Sequence, residues 1–242
     1  MTHPDYGRAF AAWRAACPQD WHDYMHHDFV EGLRTGDLPR EGFMNYLCQD
    51  YVFLVNFARA WSLAVTKAGT LQEMKAASAV VYALVQGEMA LHVGICEAEG
   101  ITQDQLLATV EANANLAYTR YVLESGYSGD FLDLLAALIP CVMGYGEIGM
   151  RLAPYAATSP YRKWIETYAG EGYQQTCREA GELIDGAIAR RLGDNPEALP
   201  RWNELARRFA TATRLEVGFW GLGMPQNEKP RVVSKAEVTP AE

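Results

Sequence analysis

Residues 130–155 read DFLDLLAALIPCVMGYGEIGMRLAPY. Asp130 is placed to cap a helix, and the apolar run behind it lacks strand alternation, so a helix is expected from Asp130 towards Tyr155. Pro140 removes a backbone N–H and crowds the turn before it, which predicts a bend. Gly144, Gly146 and Gly149 add little bulk just beyond. Bend and gap together predict a hollow with the Cys141 thiol at its wall. A thiol there is either packing or a nucleophile. Free cysteine usually behaves as a small buried hydrophobe, so the rest of the chain has to decide.

The pattern on either side is helical as well. A first helix is expected from Tyr6 to Ala16. A second opens at Pro18, a favoured first-turn residue, and runs to about Gly32. Pro39 opens a long helix to about Lys67. Another follows Thr70 and stops at Gly100. Thr102 and Gln105 form a capping-box pattern for a helix ending near Gly126. Pro160 opens a segment to about Leu192, broken near Gly170, and Pro196 opens a last helix that ends near Phe219. No repeat and no linker interrupts Asp5 to Trp220. The expectation is one all-α catalytic domain over residues 1–224, an elongated helical bundle with its site between facing helices. Residues 225–242 are rich in proline and charge and carry no aromatic residue, so a disordered tail is expected there.

The 242 residues are 49% hydrophobic and carry a formal net charge of −9. No Lys/Arg cluster offers the phosphate-neutralising surface that nucleic-acid binding needs. The five cysteines, at 17, 48, 96, 141 and 177, are widely spaced, which reads as reduced thiols in the cytosol. No uninterrupted apolar run approaches the ~20 residues of a membrane helix, so neither a membrane nor a nucleic acid is an expected partner.

Several helical faces combine polar and aromatic groups. Tyr46, Asp50, Phe53 and Phe57 recur along one face. Glu216 shares a face with Phe219 and Trp220, and Cys141 shares one with Tyr145. Tyr118 and Tyr121, then Trp164 and Tyr168, add further rings. Each group alone reads as core packing or as a carboxylate paired with a cation. Together, a thiol, two carboxylates and many rings on different helices would make a flat pocket for a planar heteroaromatic ligand. Glu88 and His92 stand at i, i+4 and could hold a cation, but a helical di-metal site needs more ligands. No histidine follows His92, so a core histidine satisfied by a carboxylate is the expectation, with no metal and no cofactor. Serine-triad order, phosphate loop and dinucleotide fingerprint are absent from the sequence.

Five segments carry a resemblance. They are Phe43-x-x-Tyr46-Leu47-x-Gln49-Asp50-Tyr51-x-Phe53-Leu54-x-x-Phe57-Ala58-Arg59-Ala60, Glu88-x-x-x-His92, Pro140-Cys141-x-x-Gly144-Tyr145-Gly146-Glu147-Ile148-Gly149, Trp164-Ile165-x-x-Tyr168 and Glu216-x-x-Phe219-Trp220. In this order and spacing they resemble the TenA family, also called thiaminase II, of the haem-oxygenase-like all-α fold. The resemblance implies hydrolysis of aminopyrimidines from degraded thiamin, or of thiamin itself, to 4-amino-5-hydroxymethyl-2-methylpyrimidine for salvage. It makes Cys141 the nucleophile and Glu216 a catalytic acid/base. Asp50 would bind the aminopyrimidine edge, Tyr118, Tyr145 and Tyr168 would line the site, and Phe53 and Phe219 would stack on the ring. It also implies a cytoplasmic homotetramer. Phe53 stands where many members carry tyrosine, and Met143 where tryptophan is common, so the preferred substrate stays open. A same-fold di-metal oxidase, an oxidase like the one completing pyrroloquinoline quinone, and a non-catalytic pyrimidine-binding protein are the alternatives.

Overall fold

The computed structural model describes residues 3–224; the expected tail lies outside them. Among the described residues there are twelve α-helices and no strand, as the all-α reading requires. The centre is α9, Phe131–Leu152. Every residue from Phe131 to Gly149 is buried. Around it pack α4 (Arg40–Lys67), α8 (Asn113–Ser128), α10 (Arg162–Ala169), α11 (Glu171–Leu192) and α12 (Pro200–Trp220). A helix apolar on all sides has no solvent face to offer, so it is enclosed on all sides.

The start of α9 forms as its sequence predicts. The Asp130 carboxylate accepts the N–H groups of Leu132 and Asp133, and Asp133 accepts that of Asp130. Asp133 is itself clamped by Arg201 (2.5 and 3.0 Å) and Arg208 (2.6 Å). Burial opposes its charge, but these guanidiniums outweigh it and bring the carboxyl down to about 2.

The expected hollow is not left by the glycines. Cβ atoms placed on Gly144, Gly146 and Gly149 would lie 2.2 Å from Tyr24 Cε1, 2.5 Å from Cys177 Sγ and 2.4 Å from the Tyr168 carbonyl carbon. Interiors are close-packed, and here neighbouring elements move into the space that the missing side chains give. The helix itself runs unbroken through Pro140.

Other boundaries also differ from expectation. The second helix divides into α2, Pro18–Met25, and α3, Asp28–Thr35, because the His27 ring accepts the Phe29 N–H and starts a new helix. The capping box at Thr102 forms, yet α7 ends at Leu107 and the chain resumes helix only at α8. Gln49 of α4 holds that link open, donating to the Val110 carbonyl (2.9 Å) and accepting the Ala112 N–H (3.0 Å). The segment after Pro160 breaks at Gly170, as read. Pro196 opens only a short 3₁₀ turn, and α12 begins at Pro200.

The helix after Thr70 spans Leu71–Ala98 in one piece. It comprises α5 (Leu71–Ala83), a π turn (Leu84–Glu88) and α6 (Met89–Ala98). By length and mean hydropathy this helix and the Phe131–Thr158 segment could each cross a membrane, which counting uninterrupted apolar residues did not flag. The most apolar window of Phe131–Thr158 is wholly buried in the protein, whereas that of Leu71–Ala98 is only 17% buried.

At the start of α5 the buried Glu73 carboxylate takes Arg190 and Arg191 (both 2.6 Å) and the Gly69 N–H (2.7 Å). Hydrogen bonds from Arg191 chiefly hold its pKa down at about 2, against an ordinary 4.5. Its contribution is therefore present above the unfolded value and fades as pH falls towards about 2. At neutral pH, Glu73→Gln should lower stability by about 1–3 kcal/mol in urea unfolding. The gap between variant and wild type should close in acid. A gap that persists unchanged at the lowest pH would show that the ion pair contributes nothing.

Candidate active site

Seven structural elements converge on one buried cluster. Asp50 and Phe53 come from α4, Tyr118 from α8, and Cys141 and Tyr145 from α9. Tyr168 comes from α10, and Glu216 and Phe219 from α12, while the π turn and α6 supply Glu88 and His92. Asp50 is 2% exposed, Glu216 1% and Cys141 8%. All eight residues singled out from the sequence are buried, and the contacts below join them into two linked sets.

The first set surrounds the thiol. The Cys141 thiol faces Glu216 across α9 and α12, close enough for each to shift the other's proton affinity. Tyr118 donates its phenol proton to Glu216 Oε1 (2.8 Å). The Phe53 ring stands 5.0 Å from Tyr118 and 5.2 Å from Phe219, forming an apolar wall beside the pair.

The second set surrounds Asp50. His92 Nδ1 lies 2.9 Å from Asp50 Oδ2, the ion pair of a core histidine with a carboxylate. Tyr46 donates to the same oxygen (3.3 Å), Tyr145 pairs with Tyr46 (3.3 Å), and Trp164 Nε1 donates to Tyr46 (3.3 Å). Tyr168 donates to Glu88 Oε1 (2.6 Å) and packs against Tyr145, with ring centroids 4.9 Å apart. Glu88 is thus tied to a phenol and His92 to a carboxylate. Among the described residues no group of three or more His, Cys, Asp or Glu is arranged to hold a metal ion.

Burial and like charge set the protonation of the cluster. Burial, with the Asp50 charge, pushes Glu216 up to about 8 against the pull of Tyr118 and Cys141. Burial and the carboxylates of Glu216, Glu88 and Asp50 push the Cys141 thiol well above its usual range. Burial opposes the charge on His92, but Asp50 and Glu88 outweigh it and raise its pKa. Burial also raises the Tyr118, Tyr145 and Tyr168 phenols, which stay protonated donors. The resting cluster holds a neutral thiol beside a carboxyl poised near neutrality. A proton can pass between them with little solvent reorganisation.

Sequence reasoning missed three participants. Tyr46 was seen only as one member of an aromatic stripe. Glu88 was weighed only as a metal ligand, and the π turn that carries it has no periodic signature. Tyr24 of α2 gave no signal at all, yet its phenol faces Glu216 and Cys141. A surface cleft of about 250 Å³ opens beside the cluster, lined by Glu88, Thr167, Gly172, Tyr173 and Thr176 among others.

The family model described as TENA/THI-4/PQQC matches residues 14–226. An aminopyrimidine aminohydrolase of Halalkalibacterium halodurans is 34% identical, across 86% of this chain and 91% of its own. The aminopyrimidine aminohydrolase of Bacillus subtilis is 30% identical, across 86% of each chain. A crystal structure from Silicibacter sp. TM1040, described as a TenA family transcription regulator, superposes with a TM-score of 0.89. It is 59% identical and covers 90% of this chain and 97% of its own.

The raised Glu216 pKa has a consequence for stability. The unfolded carboxyl ionises at its ordinary value while the folded one stays protonated to about 8. Its contribution is therefore full below the unfolded value and is lost as pH rises through about 8. Glu216→Gln, which cannot ionise, should match wild type in acid and be the more stable protein at mildly alkaline pH. Melting curves across that range check this. A variant that melts lower at alkaline pH would contradict the burial argument.

Proposed function

Because the chain belongs to the TENA/THI-4/PQQC family, we propose that it is a hydrolase of thiamin-derived aminopyrimidines, producing 4-amino-5-hydroxymethyl-2-methylpyrimidine for thiamin salvage. The observation that carries this reading is the juxtaposition of Cys141 and Glu216 inside an aromatic wall, with the Asp50–His92 pair in the same buried cluster. The two aminohydrolase relatives support the same substrate class.

The chemistry uses this chain's own groups. Glu216, as carboxylate, takes the Cys141 proton, and the thiolate forms a C–S bond to an electron-poor ring carbon. The displaced ring electrons settle on a ring nitrogen, which is protonated by a carboxylic acid of the site. The ring nitrogen then gives that proton back, and the returning electrons break the bond to the substituent on the exocyclic methylene, which leaves with the bonding pair as a neutral thiazole or, taking a proton from the site, as an amine. Water adds to the methide carbon and gives a proton to a carboxylate of the site. The C–S bond breaks, the ring regains aromaticity, and the sulfur recovers its proton. Asp50, held by His92, grips the amino edge of the ring, while Phe53 and Phe219 stack on its faces. Tyr118 steers Glu216, and Tyr145 and Tyr168 line the site. The Glu88 cleft is the route in. No step calls for a metal or a cofactor.

The catalytic unit is the domain ending at Met224, and it works in the cytoplasm as a homotetramer. The exposed apolar face of Leu71–Ala98 supports self-association, with Leu71 66% and Tyr82 72% exposed. The cysteines, each free of a disulfide, suit a reducing compartment. The transcription-regulator description of the Silicibacter relative keeps one second reading in view, a pyrimidine-binding protein without turnover.

Cys141→Ser should lose turnover by several orders of magnitude while still binding the pyrimidine product, since the serine hydroxyl stays protonated at neutral pH. Product analysis by mass spectrometry, with thiamin and the 5-aminomethyl-pyrimidine each offered in EDTA, measures this directly. Substantial activity in the serine variant would remove the covalent step. Tight binding with no product from wild type would favour the second reading, and activity restored only by iron would favour an oxidase. Glu216→Gln should lower kcat by ~10²-fold or more. Asp50→Asn should raise KM as well. Light scattering that finds a monomer at micromolar concentration would overturn the tetramer.

A further inference from the structure

We infer that Tyr24 is a substrate-binding residue, donating its phenol proton to a ring nitrogen of the bound pyrimidine beside Cys141. The inference rests on the pyrimidine reading of the site and adds a donor that the resemblance does not supply. Tyr24 lies on α2, far in sequence from every residue that singled out the site. Its side chain is fully buried, and its hydroxyl finds no hydrogen-bond partner among the described residues. Burying an unmatched hydroxyl destabilises a fold, and a phenylalanine would fill the same space without that penalty.

The phenol is held where a ligand would meet it. Its ring stacks on Trp220 (5.9 Å, 20°) and meets Trp21 edge-on (5.5 Å, 79°). Its tip lies against Gly144, one helical turn beyond Cys141. A Cβ there would lie 2.7 Å from the phenol oxygen and 2.2 Å from Cε1. The absent side chain at Gly144 is what admits the ring to the wall of the site. The titratable groups facing its hydroxyl are first Glu216, then Cys141, with Tyr118 and Tyr173 beyond. Burial and these neighbours keep it protonated, so it is a donor.

Four other phenols around the thiol are already committed. Tyr118 donates to Glu216, Tyr168 to Glu88, and Tyr46 and Tyr145 pair with one another beside Asp50. Cys141 is engaged by Glu216. Tyr24 makes no bond to that sulfur, which argues that its target arrives with the ligand. Phe53 and Phe219 offer rings without a donor. A planar heteroaromatic ring stacked on them presents its nitrogens edge-on, and a fixed phenol in the surrounding wall is suited to take one of them.

The test uses the full chain with Tyr24→Phe. Titration calorimetry with the hydroxymethyl-pyrimidine product reads binding without turnover, and steady-state kinetics reads KM against kcat. The expected result is a Kd weakened by ~10-fold or more, KM raised in step, and a ligand-free melting temperature equal to or above wild type. A Kd within about twofold of wild type, or a ligand-free melting temperature lowered by several degrees, would overturn the assignment and make the hydroxyl structural. Binding by wild type without turnover would defeat the hydrolase reading and leave Tyr24 in place as a binding residue. Turnover that ignores Tyr24→Phe would do the opposite. Failure of wild type to bind the pyrimidine at all would defeat both.

Discussion

The enclosure of α9 from Phe131 to Gly149 is the constraint on which the rest of the structure depends. A helix with no solvent face cannot leave a polar side chain unmatched, because an unpaired buried charge is expensive. Each polar group along it therefore dictates a partner elsewhere. Asp133 draws Arg201 and Arg208 from α12, fixing the early part of that helix. Glu147 draws Arg14 (2.7 Å), His3 (2.5 Å) and Trp21 (3.4 Å), tying the N-terminal helices to the far end of the bundle. Cys141, between them, faces Glu216, farther along α12. The two ion-pair clusters thus set the orientation in which the thiol and the carboxyl meet.

The site's electrostatics follow from placing carboxylates together in a dry volume. Asp50, Glu88 and Glu216 feel one another, and the positive group among them is His92. Three like charges cannot all persist there. The histidine compensates Asp50, and burial, with the remaining repulsion, keeps a proton on Glu216. That leaves a neutral thiol at rest and a carboxyl that becomes a base as pH rises towards about 8.

The elements most legible in the sequence were those set by local chemistry. The cap at Asp130, the capping box at Thr102 and the face of Tyr46, Asp50 and Phe53 all depend on residues within a few positions of one another. What the sequence concealed depends on distant contacts. The gap between α7 and α8 is held by Gln49, whose side chain replaces a helix turn's hydrogen bonds. The α2–α3 break turns on His27 acting as a cap, a role few histidines fill. The π turn gives Glu88 and His92 a register that a regular helical period does not predict. The glycines after Cys141 were visible, but whether they leave a void or admit a neighbour was decided by Tyr24, Cys177 and the α10 backbone.

The contact between Tyr24 and Gly144 also bears on how this chain can evolve. A methyl group at 144 and the present phenol ring at 24 claim the same volume. Neither position can change freely while the other stays. A lineage that gains bulk at 144 has to lose the ring at 24 first, and one that acquires the ring must already have glycine at 144. The order of substitution is thus fixed by sterics rather than by selection on catalysis.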